Sequence, residues 1–186
     1  DLINRSAFST DHRRNDPQLL LRGYERAALT LNFIRALSEG GFADLHHPEY
    51  WRLGFVADSP QCEQYQRMVE SLGNALKFID VISPNPMPEL GRIDFFTSHE
   101  ALHLDYEQAL TRHSVRGTGA YNLGTHLPWI GERTRAISGA HVEMMRGIRN
   151  PIGIKIGPQA SPSEIVDLVR LLNPSNEPGR ISLIHR

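Results

Sequence analysis

The spacing of apolar positions changes near the middle of this 186-residue chain. In the first part, two long runs repeat apolar residues every three or four positions, which predicts two amphipathic helices that need a partner surface. Asp16-Pro17 is predicted to open the first helix, Gly40-Gly41 to end it, and Ser59-Pro60 to open the second. The apolar stripes are Leu20, Tyr24, Ala27, Leu31 and Ile34 in the first helix, and Tyr65, Val69, Leu72, Leu76 and Ile79 in the second.

In the second part, short apolar runs alternate with helical patterns. The β-α-β-α-β-α-β order predicts an α/β fold with a mainly parallel sheet and right-handed crossovers. This order fits either an open doubly wound sheet or part of a (β/α)8 barrel. We predict strands over 92–98, 127–131, 151–157 and 180–186, helices over 99–112 and 139–149, and a third helix that begins at the capping box Ser161-Pro162-Ser163-Glu164.

The third predicted strand favours the barrel, because successive side chains of a strand point to opposite faces. Its isoleucine face suits packing under helices, whereas its glycine and lysine face suits a crowded or ligand-lined barrel interior. The faces are Ile152, Ile154 and Ile156 on one side, and Gly153, Lys155 and Gly157 on the other. By the same alternation, Leu127, Trp129, Gly131 and Arg133 share a face, as do Ser182, Ile184 and Arg186.

Three of these strands carry a cation at or near the C-terminal end, namely Arg133, Lys155 and Arg186. In barrels the C-terminal strand ends build the active site, so these cations can converge on one anion. Arginine grips phosphate or carboxylate oxygens in pairs, and lysine adds a compact charge. The alternative is that each cation pairs with a carboxylate in an ordinary salt bridge. Glu132 either orients a cation or acts as an acid or base, and its position alone does not decide.

Composition narrows the functional classes. The net charge is −1 and the pI is about 6.8, so no global field recruits nucleic acid or an anionic membrane. The single cysteine, Cys62, excludes an intramolecular disulfide framework and fits a reducing cytosol. No apolar stretch is long enough to span a bilayer. Since the chain begins at Asp1 and reaches Arg186 within a strand pattern, we expect it to be truncated at both ends.

His99-Glu100-Ala101-Leu102-His103 matches the H-E-x-x-H pattern of zinc hydrolases. On a helix, the two histidines could bind zinc while the glutamate activates water. A third ligand would be required, and His126 and Glu132 are candidates. The pattern directly follows a predicted strand, at the very start of its helix, which argues against this alternative.

Several strings together resemble class II (plant-type) 3-deoxy-D-arabino-heptulosonate 7-phosphate (DAHP) synthase, the first enzyme of the shikimate pathway to chorismate and aromatic amino acids. With the Arg22-Gly23-Tyr24 helix, the likeness covers nearly the whole chain. The strings are Thr97 to Leu102 (TSHEAL), Asp105-Tyr106-Glu107, Trp129 to Arg135 (WIGERTR), Gly139-Ala140-His141, Asn150 to Pro158 (NPIGIKIGP) and Pro178 to Arg186.

The resemblance implies a (β/α)8 barrel that condenses phosphoenolpyruvate with erythrose 4-phosphate and releases phosphate. Residues 91–186 would supply about strands three to six of the barrel, and residues 1–90 the pair of long helices inserted in class II. The residues matching Glu132, Arg133, Lys155 and Arg186 line the phosphoenolpyruvate pocket, and Arg133 and Lys155 are the implied catalytic residues.

The resemblance also implies a divalent metal, Mn2+ or Co2+, whose ligands lie outside this chain, and Cys62 does not match the ligand position. It implies a homo-oligomer, an aromatic amino acid effector, and a cytoplasmic location, or a plastid in a plant-type host. His103 falls where other members commonly have an apolar residue, which further weakens the zinc alternative. A second alternative is a non-catalytic anion-binding or interaction domain derived from the barrel.

Overall fold

The computed structural model describes residues 3–40, 54–83, 94–115 and 117–185. Residues 1–95 form one compact unit, and residues 96–186 form another. Within the described ranges, no helix combines the length and the apolar character needed to cross a bilayer.

Two long helices, α1 (Pro17–Glu39) and α2 (Cys62–Ile82), form most of the described first unit, as predicted. Asp16 caps α1, since its Oδ1 accepts a hydrogen bond of 3.1 Å from the Gln18 amide. The second helix begins later than predicted, because Ser59 closes a turn with the Cys62 amide. Leu76 is the one stripe residue of either helix that is buried.

The second unit is built around a parallel sheet whose neighbouring strands follow one another in the order β1-β4-β5-β6. Strands β2 and β3 form an antiparallel hairpin between β1 and β4, which was not predicted. The elements are β1 (Ser98–Glu100), α3 (Leu104–Ala109), β2 (Thr111–His113), β3 (Ala120–Asn122), β4 (Leu127–Ile130), α4 (Ala140–Arg146), β5 (Ile152–Ile156), α5 (Pro162–Leu172) and β6 (Ile181–His185).

The prediction around the first strand was wrong in its boundaries. We expected a strand over 92–98, of which residues 92 and 93 lie outside the described residues, and a helix over 99–112. Instead, β1 covers Ser98–Glu100 and α3 covers only Leu104–Ala109. Tertiary contacts set these boundaries, because β1 pairs with β4 in a register that places Glu100 beside Trp129. Helix α4 is also shorter than predicted and ends before Gly147.

The core lies on one face of the sheet, beneath α4 and α5. Ile152 and Ile154 are 0% exposed and Ile156 is 7% exposed, which confirms that the predicted isoleucine face is buried. Ile130 of β4, 1% exposed, belongs to the same core. The opposite face is also crowded, since a Cβ on Gly153 would lie 2.8 Å from Trp129 Cβ and 2.9 Å from Ile184 Cδ1. Gly153 therefore lets β4 and β6 side chains close over β5. The core helices contribute Val142, Met145, Leu168 and Leu172.

A buried asparagine fastens the strands at their N-terminal ends. Asn150 Nδ2 donates to the carbonyls of Asn122 (2.9 Å) and Thr125 (3.2 Å), while its Oδ1 accepts from the Asn122 amide (2.8 Å). The guanidinium of Arg180 donates to the backbone carbonyls of Ile148 and Asn150. Burial lowers the pKa of Arg180, and the neighbouring charge of Arg149 lowers it further. The opposite, carboxyl ends of the strands carry the candidate site.

Candidate functional site

The carboxyl ends of β1, β4 and β5 meet at a cavity of about 220 Å³. Parallel strands bring these ends to one edge of the sheet, which is where α/β proteins bind ligands. The volume is below the range of about 300–1,000 Å³ typical of drug-sized ligands, so it suits a small metabolite. The lining residues are Glu100, Glu132, Arg133, Lys155 and Ile156.

Lys155 points into this cavity from β5. Its Nζ lies 3.7 Å from Glu100 Oε2 and 5.2 Å from the centroid of the Trp129 ring. The side chain is 27% exposed, so a ligand can reach the ammonium group. Lys155 thus has a carboxylate partner and an aromatic wall before any ligand is bound.

Glu100 is a lining residue that sequence reasoning placed elsewhere, as the water-activating group of H-E-x-x-H. It is the last residue of β1, and its carboxylate lies against Gly131 so closely that a Cβ on Gly131 would overlap it. The position of Glu100 became recognisable only from the pairing of β1 with β4. A three-residue strand is too short to show an alternation of apolar and polar residues from which that pairing could be predicted.

The carboxylate of Glu132 lies against Gly157, at the end of β5, where any Cβ would overlap it. Glu132 begins a 3-10 turn, Glu132–Thr134, which follows β4 directly. The turn is closed by Thr134, whose amide (3.1 Å) and hydroxyl (3.2 Å) both donate to the Gly131 carbonyl. A glycine at a neighbouring strand end therefore makes room for this carboxylate, as Gly131 does for Glu100.

Arg133 occupies the middle of the same turn and is exposed at the cavity. It has no ion-pair partner within the part of the chain that the structure describes, so its planar fork is available to an anion. The cavity lining holds two carboxylates, Glu100 and Glu132, and two cations, Arg133 and Lys155, which gives a formal charge of 2 − 2 = 0. Arg186 lies outside the described residues, so its convergence with Arg133 and Lys155 stays a prediction.

Arg135, just beyond the turn, pairs with Glu164 in the first turn of α5. Hydrogen bonding with Glu164 raises the pKa of Arg135, and the nearby charge of Glu132 adds to this. The same contact with Arg135 lowers the pKa of Glu164. Both side chains are therefore charged over the physiological range. The sequence showed Arg135 only as part of the WIGERTR string and Glu164 only as part of a capping box, so nothing in it indicated that the two side chains pair.

Residues 99–103 do not form the helix that an H-E-x-x-H zinc site requires. His99 and Glu100 lie on β1, where neighbouring side chains face opposite ways, and His103 precedes α3. His99 Nε2 lies 2.8 Å from Glu107 Oε1, so this imidazole is engaged with a buried carboxylate. The proposed third ligand His126 accepts a 3.1 Å hydrogen bond from the Thr97 amide through Nδ1.

Metal binding has no support from the described part of the chain. Among these residues, no three His, Cys, Asp or Glu side chains come together where they could hold an ion. The side chains described here therefore do not fit the divalent metal that the family resemblance implies.

Comparison with known proteins identifies a family that matches the whole chain. The model of the class-II DAHP synthetase family matches residues 1–186. A phospho-2-dehydro-3-deoxyheptonate aldolase from Streptomyces coelicolor is 42% identical over 186 residues, and a protein of the same name from Neurospora crassa is 42% identical over 200 residues. Each alignment covers 100% of this chain, and the chain spans 41% of the length of each relative.

Proposed function

The chain belongs to the class-II DAHP synthetase family, and from this premise we propose that its cavity forms part of the phosphoenolpyruvate site of a DAHP synthase. The enzyme would condense phosphoenolpyruvate with erythrose 4-phosphate, an aldol-type transfer that releases inorganic phosphate. The observation that carries the proposal is that Glu132, Arg133 and Lys155 line one cavity at the strand ends.

Phosphoenolpyruvate carries a phosphate and a carboxylate, and both Arg133 and Lys155 can bind such anionic groups. Arg133 offers a fork that can hold two oxygens of one anionic group, and Lys155 offers a compact charge. Because Glu100 already neutralises part of the Lys155 charge, a bound dianion needs a further cation. We assign that role to Arg186, which the sequence pattern places at the end of the next strand.

In the proposed reaction, carbon 3 of phosphoenolpyruvate attacks the aldehyde carbon of erythrose 4-phosphate and forms the new C–C bond. The C2=C3 double bond supplies the electron pair, and the aldehyde oxygen takes up a proton. Water adds at carbon 2 and loses its protons as the bond between carbon 2 and the phosphate oxygen breaks, so phosphate leaves and carbon 2 becomes a ketone. Arg133 and Lys155 hold the substrate anion in place and stabilise charge that develops on it. We assign Glu132, whose carboxylate lies against Gly157, a role in orienting these cations.

The proposed architecture assigns residues 91–186 to about strands three to six of a (β/α)8 barrel, and residues 1–90 to the class II helical insertion. Two observations support the barrel part: four parallel strands follow one another in chain order, and the face opposite the helices is crowded around Gly153. The Mn2+ or Co2+ ion, a homo-oligomer and an aromatic amino acid effector would depend on residues or contacts beyond those described. The proposed compartment is the cytoplasm, or the plastid of a plant-type host.

The test is Lys155→Ala in the complete protein that contains this chain. We expect kcat to fall about 100-fold or more and phosphoenolpyruvate to bind more weakly, because an electrostatic contact to the reacting anion is lost. The half-exposed position of Lys155 leaves the fold intact, which circular dichroism would check. Lys77→Ala is the matched control, since Lys77 is the other lysine of the chain and lies exposed on α2.

The kinetics decide between the enzyme and the non-catalytic alternative. Unchanged rates of phosphate release in Lys155→Ala would contradict the assignment of this residue. If the unmutated complete protein bound phosphoenolpyruvate but never released phosphate with erythrose 4-phosphate and Mn2+ present, the cavity would belong to an anion-binding domain.

A further inference from the structure

We propose that Arg135 is a positioning residue, which holds the turn Glu132–Thr134 in place through its ion pair with Glu164. Arg133, in the middle of that turn, would then owe its orientation to a contact made outside the cavity. The inference rests on the proposed function, because it assigns the anion-binding role to Arg133.

The two arginines of this segment lie in opposite environments. Arg133 is exposed at the cavity, whereas Arg135 is only 8% exposed, although the two are separated by a single residue. Arg135 Nη1 forms an ion pair with Glu164 Oε1, but among the described residues neither Nη1 nor Nε has a partner in hydrogen-bond geometry, and both atoms are buried. A guanidinium is costly to bury, so the single carboxylate partner is what keeps Arg135 inward.

Glu164 is a rigid anchor because its own backbone is fixed. Its amide donates 3.2 Å to the hydroxyl of Ser161, the N-cap of α5, and Pro162 occupies the first helical position. The helix is held to the sheet by Leu168 and Leu172, which are 0% and 2% exposed. A carboxylate carried by such a helix moves little, and a guanidinium bound to it moves with it.

The turn also touches the strand that carries Lys155. The Glu132 carboxylate lies against Gly157, and the Gly157 carbonyl accepts from the Ala160 amide (3.1 Å) just before the N-cap Ser161. The segment after β4 thus contacts the end of β5 through Glu132 and the first turn of α5 through Arg135. This double attachment fixes the separation of Arg133 from Lys155.

Loss of the ion pair should therefore affect substrate binding more than turnover at saturation. A shift of about 1 Å in a binding group can cost up to about 100-fold in rate constant, so we expect KM for phosphoenolpyruvate to rise about tenfold in Arg135→Ala and Glu164→Ala. We expect kcat to fall by a smaller factor than KM rises, since Lys155, which also stabilises the developing charge, keeps its own partners. Glu164→Asp, which keeps the charge, should recover part of the lost affinity.

The experiment is a double-mutant cycle in the complete protein, read by steady-state kinetics and by amide hydrogen exchange at Thr134. Arg135→Ala and Glu164→Ala should each accelerate exchange of the Thr134 amide about tenfold, and the double variant should be no worse than either single variant. The control cycle removes Arg146 and Glu143, an exposed pair at 2.6 Å within α4, and should leave Thr134 exchange and KM unchanged.

The exchange rate of the Thr134 amide can be measured whether or not the protein is catalytically active. If the complete protein lacked synthase activity, the proposed function would fail while the Thr134 amide still reported on the ion pair. Exchange that stays at the unmutated rate, or single effects that simply add in the double variant, would overturn the positioning role. Should Arg135→Ala fail to fold, Glu164→Gln removes the same charge interaction with a milder change and carries the test.

Discussion

At the scale of single residues, two glycines shape the site as much as the charged groups do. Gly131 and Gly157 stand at the ends of adjacent strands, and each leaves the space that a neighbouring carboxylate fills. Strand alternation placed Gly157 and Lys155 on one face, and it also placed Arg133 near them. It could not show that Glu132 occupies the space over Gly157, because that contact joins two segments through the fold.

We predict that Gly157→Ala displaces the Glu132 carboxylate and impairs phosphoenolpyruvate binding. A methyl group at this position overlaps the carboxylate. We expect KM to rise about tenfold, which corresponds to about 1.4 kcal/mol of binding free energy. Since the displaced atoms end a flexible side chain, the free energy of unfolding should change by less than about 1 kcal/mol. Steady-state kinetics and urea unfolding measure the two effects.

Gly54→Ala is the control for this substitution, because a Cβ there meets no atom of the described residues within 4 Å. It should leave KM unchanged. A Gly157→Ala variant with normal KM would show that the placement of Glu132 does not matter for substrate binding.

At the scale of elements, the sequence predicted best where local signals are strong. Helix α5 has an N-cap serine, proline at its first position and a regular apolar stripe, and β5 has an uninterrupted alternation. The segment from 94 to 122 was predicted poorly, because a three-residue strand, a six-residue helix and a hairpin of two three-residue strands are each too short to show a period. Their positions depend on pairing with β4 and on buried polar contacts.

The side chain of Asn150 joins the segments that lead into β4 and β5, so its loss is predicted to destabilise the fold. Asn150→Ala removes three buried hydrogen bonds and leaves the Asn122 amide without that acceptor. Unsatisfied buried polar groups cost about 1–3 kcal/mol each, so we expect the free energy of unfolding to fall by about 2–4 kcal/mol. Urea unfolding followed by far-ultraviolet circular dichroism measures the loss.

Asn173→Ala is a matched control for Asn150→Ala. Asn173 also makes side-chain hydrogen bonds, to the backbone of Glu177, but these are exposed. Its loss should cost less than about 1 kcal/mol, since water can replace the partners. Equal losses in the two variants would mean that the Asn150 contacts do not hold the strands together.

At the scale of the whole molecule, the described sheet ends at β1 and β6. Each of these strands pairs on one side only within the described ranges. The candidate site is also incomplete within the described ranges. The formal charges of its lining side chains cancel, although its proposed substrate is an anion. Sequence reasoning found the cations because strand ends can be counted along the chain. It could not find Glu100 or the partner of Arg135, which depend on contacts between distant segments.

We predict that an isolated polypeptide of residues 1–186 releases no phosphate from phosphoenolpyruvate and erythrose 4-phosphate with Mn2+. The described residues hold no metal cluster, and the outer edges of β1 and β6 present unpaired backbone groups that favour aggregation. A phosphate-release assay with the complete protein as the positive control tests this. Turnover by the isolated polypeptide would show that residues 1–186 contain a whole active site.

Because Lys155 lies over the Trp129 ring, the fluorescence of Trp129 can report on the position of the Lys155 ammonium group. Indole emission responds to the electric field across the ring, and the Lys155 ammonium group, which the substrate is proposed to engage, lies 5.2 Å from the ring centroid. An anion that draws Lys155 away from Glu100 would therefore change the emission of Trp129. With Trp51 replaced by phenylalanine, Trp129 is the only indole left in this chain, so occupancy of the cavity could be followed without any added dye.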